Sequence, residues 1–169
     1  MVNKFLSSCN SALNDFFIRI QSEYLKNRRS LKTACVFIHY SEKNTISRYV
    51  FYYIEELKRI FDEIFVTTNL KSDVLHKHGI CNINIIESQN ENGYDFGKFY
   101  RILTSINLRK YSQIAFVNDS CILFGDLKKL IERVNLKGID VWALTDSYAG
   151  FKGYSKNDVY HLQSYFLVF

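Results

Sequence analysis

The chain has 169 residues, of which 47% are hydrophobic, 23% charged and 16% aromatic. This length allows one domain with a substantial core, and the high aromatic fraction excludes an intrinsically disordered chain. The net charge of +5 is mild, and no run of five or six like charges indicates a nucleic-acid-binding surface. The four cysteines form no CxxC pair, so a structural zinc site is not expected.

The sequence also predicts where the protein resides. It contains no apolar run of the roughly eighteen residues that span a bilayer, and its N-terminus lacks the apolar region of a signal peptide. Widely spaced cysteines are typical of reduced thiols in a cytosolic protein. We therefore predict a cytoplasmic location.

The first 32 residues predict an amphipathic helix followed by a basic connector. Two interpretations of this helix stay open: it touches the inner face of a membrane or a partner, or it packs on its own domain. We place the main domain at residues 33–169. The residues on the apolar stripe of the helix are Phe5, Cys9, Leu13, Phe16, Ile20 and Tyr24.

Beyond residue 33, short apolar runs alternate with segments of helical periodicity, and the connections are short. This alternation predicts βαβ units, hence a mostly parallel sheet with helices on both faces. The last strand is fully apolar, and we therefore expect the domain to continue past Phe169. The predicted strands are 34–40, 63–69, 83–88, 112–119, 140–146 and 164–169, and the helices lie within 46–61, 72–78, 89–106 and 125–138.

Polar side chains follow most of the predicted strands. In an open parallel sheet, ligands bind beyond the carboxyl ends of the strands. These side chains would therefore gather at one edge of the sheet, where a sugar nucleotide needs polar contacts. The residues that end the strands include His39, Tyr40, Asn69, Asn118, Asp119, Ser120 and Asp146.

The stretch from residue 91 to 98, ENGYDFGK, is the most unusual segment. Gly93 and Gly97 flank an acidic–aromatic triplet at the start of a helix, where free backbone N–H groups attract an anion. Lys98 lies in the first turn, where the helix dipole disfavours a cation, and a phosphate partner would explain it. The alternative is that Asp95 caps the helix and Lys98 is solvated.

Asp119 follows a buried strand, and its carboxylate could hold a divalent cation that bridges a diphosphate. The alternative is an Asx-turn that ends the strand, which is common. Asp146 is a second carboxylate expected at the same edge. It could bond a sugar hydroxyl or cap the next turn.

Six blocks of this sequence, taken in order, resemble the rhamnan synthesis protein F family of bacterial polysaccharide glycosyltransferases. The likeness extends from Ala34 to Phe169. The blocks are FIHY, YVFYYIEELKRIFDEIFVTTN, ENGYDFGKF, FVNDSCILF, DVWALTDS and HLQSYFLVF.

The resemblance implies a three-layer, Rossmann-like fold of the GT-A type. It implies a dTDP- or UDP-sugar donor and transfer of rhamnose or a similar sugar to a cell-surface polysaccharide precursor. The acceptor would be a glycan of the cell wall, capsule or lipopolysaccharide, or a lipid-linked precursor.

The resemblance also implies roles for individual residues. The metal-binding Asp-x-Asp motif of GT-A enzymes corresponds here to Asn118, Asp119 and Ser120, so a requirement for Mg²⁺ or Mn²⁺ stays open. The block from Asn92 through Gly93 to Lys98 matches the donor-side loop. The positions of Asp146 and Gln163 resemble those that contact the donor sugar and the acceptor.

The resulting hypothesis assigns catalysis to Asp119 and Asp146, and metal or diphosphate binding to Asp119. The segment from Asn92 to Lys98 would hold the nucleotide, and His39 with Tyr40 would line the base pocket. Two alternatives stay open: a truncated or degenerate relative that binds a nucleotide or a partner without turnover, and a response-regulator-like or flavodoxin-like binding domain. The second lacks support, because the first strand does not end in an acidic pair or a phosphate loop.

Overall fold

The computed structural model of the protein describes residues 31–88, 94–123, 125–135, 139–147 and 160–169. The predicted N-terminal helix lies outside these residues. The strands are β1 (Lys32–His39), β2 (Glu63–Thr68), β3 (Asn84–Glu87), β4 (Tyr111–Asn118), β5 (Trp142–Ala143), β6 (Asp146–Ser147), β7 (His161–Leu162) and β8 (Phe166–Val168). The α-helices are α1 (Arg48–Lys58), α2 (Ser72–Lys77), α3 (Tyr94–Ser105) and α4 (Leu127–Asn135), and a short 3-10 turn spans Leu108–Lys110.

A six-stranded sheet forms the centre of the fold, in the order β3-β2-β1-β4-β8-β5. The pairs among β1, β2, β3 and β4 are parallel, whereas β8 runs antiparallel to both β4 and β5. The predicted α/β class with a mostly parallel sheet is therefore confirmed. The last strand is the one that reverses direction.

The strand predicted over residues 140–146 is divided in the structure. Trp142 and Ala143 join the main sheet, whereas Asp146 and Ser147 pair with β7 in a separate two-stranded ribbon. The physical reason is a change of partner: Leu144 N–H still donates to Phe166 O, but the next carbonyl already accepts from Gln163 N–H. The chain therefore leaves the sheet just after β5, at the end where β8 begins.

Hydrophobic side chains pack on both faces of the sheet, because alternate residues of a strand point to opposite sides. On β1, Val36 joins the cluster beneath α3, whereas Phe37 joins the larger cluster beneath α1, α2 and α4. Burying each such side chain stabilises the fold by about 1.5–3 kcal/mol. The ring of Phe99 on α3 stacks on that of Phe116 on β4, with 4.4 Å between centroids, and thereby fixes α3 to the sheet.

The amino ends of β1, β2 and β4 form one edge of the sheet, which we call the amino edge. Here Lys32 Nζ donates to Glu63 Oε1 at 2.7 Å, and the Tyr111 hydroxyl donates to Glu63 Oε2 at 2.6 Å. Thr33 donates to Asp62 Oδ2 through its backbone N–H at 2.7 Å and through its hydroxyl at 3.0 Å. Lys32, Asp62 and Glu63 thus find partners within the chain.

Candidate functional site

The opposite edge of the sheet, the carboxyl edge, brings together most of the predicted site residues. The register places His39 of β1 beside Thr68 of β2, and Ile38 of β1 beside Asn118 of β4. The first turn of α3 reaches the same place, because Asn118 Nδ2 donates to Asp95 Oδ2 at 2.8 Å. We call the group of His39, Asp95, Lys98, Asn118 and Asp119 the carboxyl-edge cluster.

Asp119 leaves β4 as a turn residue, and its backbone N–H donates to Ile38 O at 3.1 Å. Its carboxylate oxygen Oδ2 accepts the N–H of Tyr40 at 3.4 Å and lies 3.8 Å from His39 Nε2. Burial raises the pKa of the Asp119 carboxyl, and the charge of Asp95 raises it further against the opposing effects of backbone N–H groups and Lys98. Asp119 is thus a desolvated carboxylate with an enhanced affinity for a proton.

His39 is buried, with 3% of its surface exposed. Its Nδ1 lies 2.9 Å from Thr68 Oγ1, which also accepts the N–H of Leu70 at 3.1 Å. Burial, and secondarily the charge of Lys98, lower the pKa of His39 to about 4. The imidazole is therefore neutral at pH 7 and takes part in hydrogen bonding without adding charge to the site.

Lys98 is the most unusual member of the cluster, because only 4% of its surface is exposed. Its ammonium lies 5.6 Å from the ring centroid of Tyr40, and its charge lowers the pKa of both His39 and Asp119. No acceptor among the described residues lies within hydrogen-bonding or ion-pairing distance of Lys98. The alternative of a solvated Lys98 is wrong, because the helix turns this side chain toward the sheet rather than toward water.

The chain begins α3 in a strained conformation. Tyr94 has φ +49°, in the left-handed region that a bulky residue rarely adopts, and its side chain is 89% exposed. Gly97 lies in the first turn of the helix, whereas Asn92 and Gly93 lie outside the described residues. This backbone places Asp95 and Lys98 on the sheet side of the helix.

Asn118 fulfils the Asx-turn alternative and also joins the cluster. Its Oδ1 accepts the backbone N–H of Ser120 at 3.2 Å, while its amide group binds Asp95. Ser120 itself is exposed. The two observations are compatible, since the two ends of one amide side chain serve different partners.

Asn69 lies at the carboxyl edge, but its amide is engaged within the protein. Its Oδ1 accepts Ser41 N–H at 2.9 Å, and its Nδ2 donates to Ser41 O at 2.8 Å. This reciprocal pair holds the segments after β1 and β2 together. Asn69 therefore serves to hold the carboxyl edge together. Of the two residues predicted to line the base pocket, His39 is buried and Tyr40 is 43% exposed.

Asp146 and Gln163 lie on the β6–β7 ribbon rather than in the cluster. The ribbon leaves the sheet at the same edge, where Asn118 N–H donates to Tyr165 O at 3.2 Å. Within the described ranges, no hydrogen bond or ion pair joins Asp146 or Gln163 to Asp119. The structure brings together five of the predicted residues and leaves these two on a neighbouring element.

The cluster does not fit a divalent metal ion. In the part of the chain that the structure describes, no group of three or more His, Cys, Asp or Glu side chains is placed to hold one. One oxygen of Asp95 accepts from Asn118, one oxygen of Asp119 accepts from Tyr40, and an ammonium lies in the same cluster. The carboxylate oxygens that could bind a metal ion thus accept hydrogen bonds from N–H groups of the protein.

The sequence reasoning missed the role of Thr68, although this residue immediately precedes Asn69 at the end of β2. Thr68 is fully buried, and its hydroxyl contacts the ring of His39. In the sequence, Thr68 is marked only as a polar residue at the end of an apolar run. Tyr49 on α1 was likewise missed, although its hydroxyl donates to Asp119 O at 3.4 Å.

Across the described residues, none of the helices combines the length and the apolar character that crossing a membrane requires.

Comparison with known proteins supports the fold. No family model matches the sequence, and a comparison with curated proteins finds no match either. Among solved structures, the chain is similar to 4-diphosphocytidyl-2C-methyl-D-erythritol synthase from Anaerococcus prevotii, with a TM-score of 0.53 and 11% sequence identity. The likeness covers 83% of this chain and 72% of that one, and it shows a shared α/β architecture.

Proposed function

We propose that this domain binds a nucleoside-diphosphate sugar at its carboxyl edge and transfers the sugar to a cell-surface polysaccharide precursor. The observation that carries the proposal is the contact between Asn118 and Asp95 across the edge. It unites two segments that are 23 residues apart in sequence, one ending a strand and one beginning a helix. This is the arrangement that an α/β domain uses to hold a phosphorylated ligand.

The chemistry of sugar transfer fits the charges of the cluster. The bond from the acceptor hydroxyl oxygen to the anomeric carbon forms while the bond from that carbon to the donor diphosphate breaks, and the hydroxyl proton passes to a base. Lys98 and the free N–H groups of the first turn of α3 would stabilise the departing diphosphate. Asp119 is the candidate base, because burial raises its pKa and so its affinity for a proton.

The remaining predicted residues have positions consistent with this proposal. Tyr40 offers an exposed ring to the nucleotide base beside the buried His39. Asp146 and Gln163, on the β6–β7 ribbon, would contact the donor sugar or the acceptor. A dTDP- or UDP-sugar donor, rhamnose as the sugar, and a glycan or lipid-linked acceptor at the inner face of the membrane belong to the same proposal.

A second candidate function follows from the structural neighbour, which is named as the synthase of a diphosphocytidyl compound. By analogy, the carboxyl edge would join a nucleotide to a phosphorylated sugar or polyol. The two functions differ in substrate: this one consumes a nucleoside triphosphate and releases pyrophosphate, whereas sugar transfer releases a nucleoside diphosphate.

A binding screen tests the proposal. We expect UDP, dTDP or their sugar conjugates to raise the melting temperature, and Asn118→Ala to reduce that rise because it removes the contact that joins β4 to the first turn of α3. Glu132→Ala on α4 is the control, since that side chain is 62% exposed and lies in no predicted site. If no nucleotide or nucleotide sugar shifts the melting temperature of the unmodified protein, the proposal is wrong. An assay of the released product distinguishes the two candidate functions: sugar transfer releases UDP or dTDP, and the second candidate releases pyrophosphate.

A further inference from the structure

We propose that Lys98 is the built-in counter-cation of the donor diphosphate, so that this site binds a nucleoside diphosphate without a divalent metal ion. The inference rests on the proposed function, because it assumes that the ligand of the carboxyl edge carries a diphosphate. It goes further in stating which group neutralises that diphosphate.

The first support is that the Lys98 side chain is buried without an acceptor among the described residues. A lysine that is 4% exposed has left most of its hydration shell, and an isolated buried ammonium is among the costliest groups a protein can hold. Protein structures normally offset this cost with hydrogen bonds to each N–H. The described residues provide only the Tyr40 ring, whose centroid lies 5.6 Å from Nζ, and carboxylates beyond ion-pairing distance. An anionic ligand would supply the missing acceptors.

The second support is the direction in which the ammonium lies. Its Nζ lies 5.6 Å from the ring centroid of Tyr40, the residue that follows β1. It is also close enough to His39 and Asp119 for its charge to lower the pKa of both. The first turn of α3, which carries Lys98 itself, lies at the same edge. Lysine and helix N–H groups would therefore converge on one anion.

The third support is the poor fit to a metal ion. A divalent cation in this cluster would lie close to the Lys98 ammonium, and like charges in a partly desolvated site repel strongly. It would also compete with Asn118 for Asp95 and with Tyr40 N–H for Asp119. In nucleotide sites Mg²⁺ is held by one or two carboxylates together with phosphate oxygens and water, and both carboxylates of this cluster already accept N–H groups of the protein.

Isothermal titration of dTDP and UDP separates the possibilities. Each nucleotide is titrated into the protein once in excess EDTA and once in the presence of Mg²⁺ or Mn²⁺. We expect the affinity in EDTA to be within about threefold of that with metal, a difference below 1 kcal/mol. Lys98→Met should lower the affinity by about 10–100-fold, the loss expected for a charge-assisted contact.

Lys110→Met is the matched control, because Lys110 is exposed and lies at the amino edge. It should bind as the unmodified protein does. Lys98→Met replaces a buried cation that has no ion-pair partner among the described residues by an apolar chain of similar length, so its melting temperature without nucleotide should not fall. That measurement shows whether a loss of binding comes from the site or from unfolding.

The outcomes are distinguishable. Binding that EDTA abolishes and Mg²⁺ or Mn²⁺ restores overturns the metal-free inference and leaves the proposed function standing. Unchanged affinity in Lys98→Met overturns it as well. Absence of binding under every condition overturns the proposed function, and this inference with it.

Discussion

The two edges of the central sheet carry similar charged residues, but these are paired at the amino edge and desolvated at the carboxyl edge. At the amino edge, Glu63 receives both Lys32 and Tyr111, and these two hydrogen bonds lower the pKa of its carboxyl. At the carboxyl edge, burial raises the pKa of Asp119, and Lys98 is buried without an ion-pair partner among the described residues. The charges of the amino edge join neighbouring strands, whereas those of the carboxyl edge are buried away from water.

The difference supports the proposal that the carboxyl edge is the ligand-binding edge. A protein gains stability when it pairs its charges and loses stability when it buries them unpaired. Unpaired buried charge persists where function requires it, and perturbed pKa values gather at such sites. The same strands supply both edges, so the contrast arises from what surrounds their ends.

The largest expected effect comes from removing the ring that fixes α3 to the sheet. Phe99→Ala should lower the free energy of unfolding by about 3–5 kcal/mol, because it leaves a cavity against Phe116. It should also weaken nucleotide binding, since α3 carries Asp95 and Lys98. Urea unfolding measures the first effect. Thr104→Ala, exposed on the same helix, is the control and should change stability by less than about 0.5 kcal/mol.

A smaller loss is expected at the amino edge. Glu63→Gln should lower the free energy of unfolding by about 1 kcal/mol at pH 7, because Lys32 and Tyr111 lose a charged acceptor. The folded-state pKa of Glu63 lies below 4.5, so the difference should persist above that pH and vanish as the pH falls through the folded-state value. Glu55→Gln, in an exposed pair with Lys58, should cost less. Equal costs would mean that the amino edge is no better paired than the surface.

The smallest effect should have the opposite sign. Asp119→Asn should raise the melting temperature by a few degrees at pH 7, because the ionised carboxylate of the native protein is desolvated. The folded-state pKa lies above 3.8, so this gain appears as the pH rises from 3.8 through the folded-state value and is absent below 3.8. Thermal unfolding between pH 3 and pH 8 measures it. A lower melting temperature at pH 7 would show that Asp119 stabilises the fold as Glu63 does.

Much of the fold could be predicted from the sequence, because period and composition are local signals. The apolar run that became β1 and the helical spacing that became α1 are readable residue by residue. Gly79 follows the end of α2 with φ +81°, a conformation that glycine adopts without strain. The division of the strand at residues 140–146 was not predictable, because it depends on where β8 and β7 offer partners.

The sequence by itself determined the alternation of strands and helices, and it marked polar residues at the strand ends. Tertiary structure alone decided that Lys98 is buried, that Asn118 binds Asp95, and that Asp146 lies on a ribbon. The physical reason is that desolvation and pairing of charges depend on distances between segments far apart in the chain. Hydrophobic period does not encode those distances.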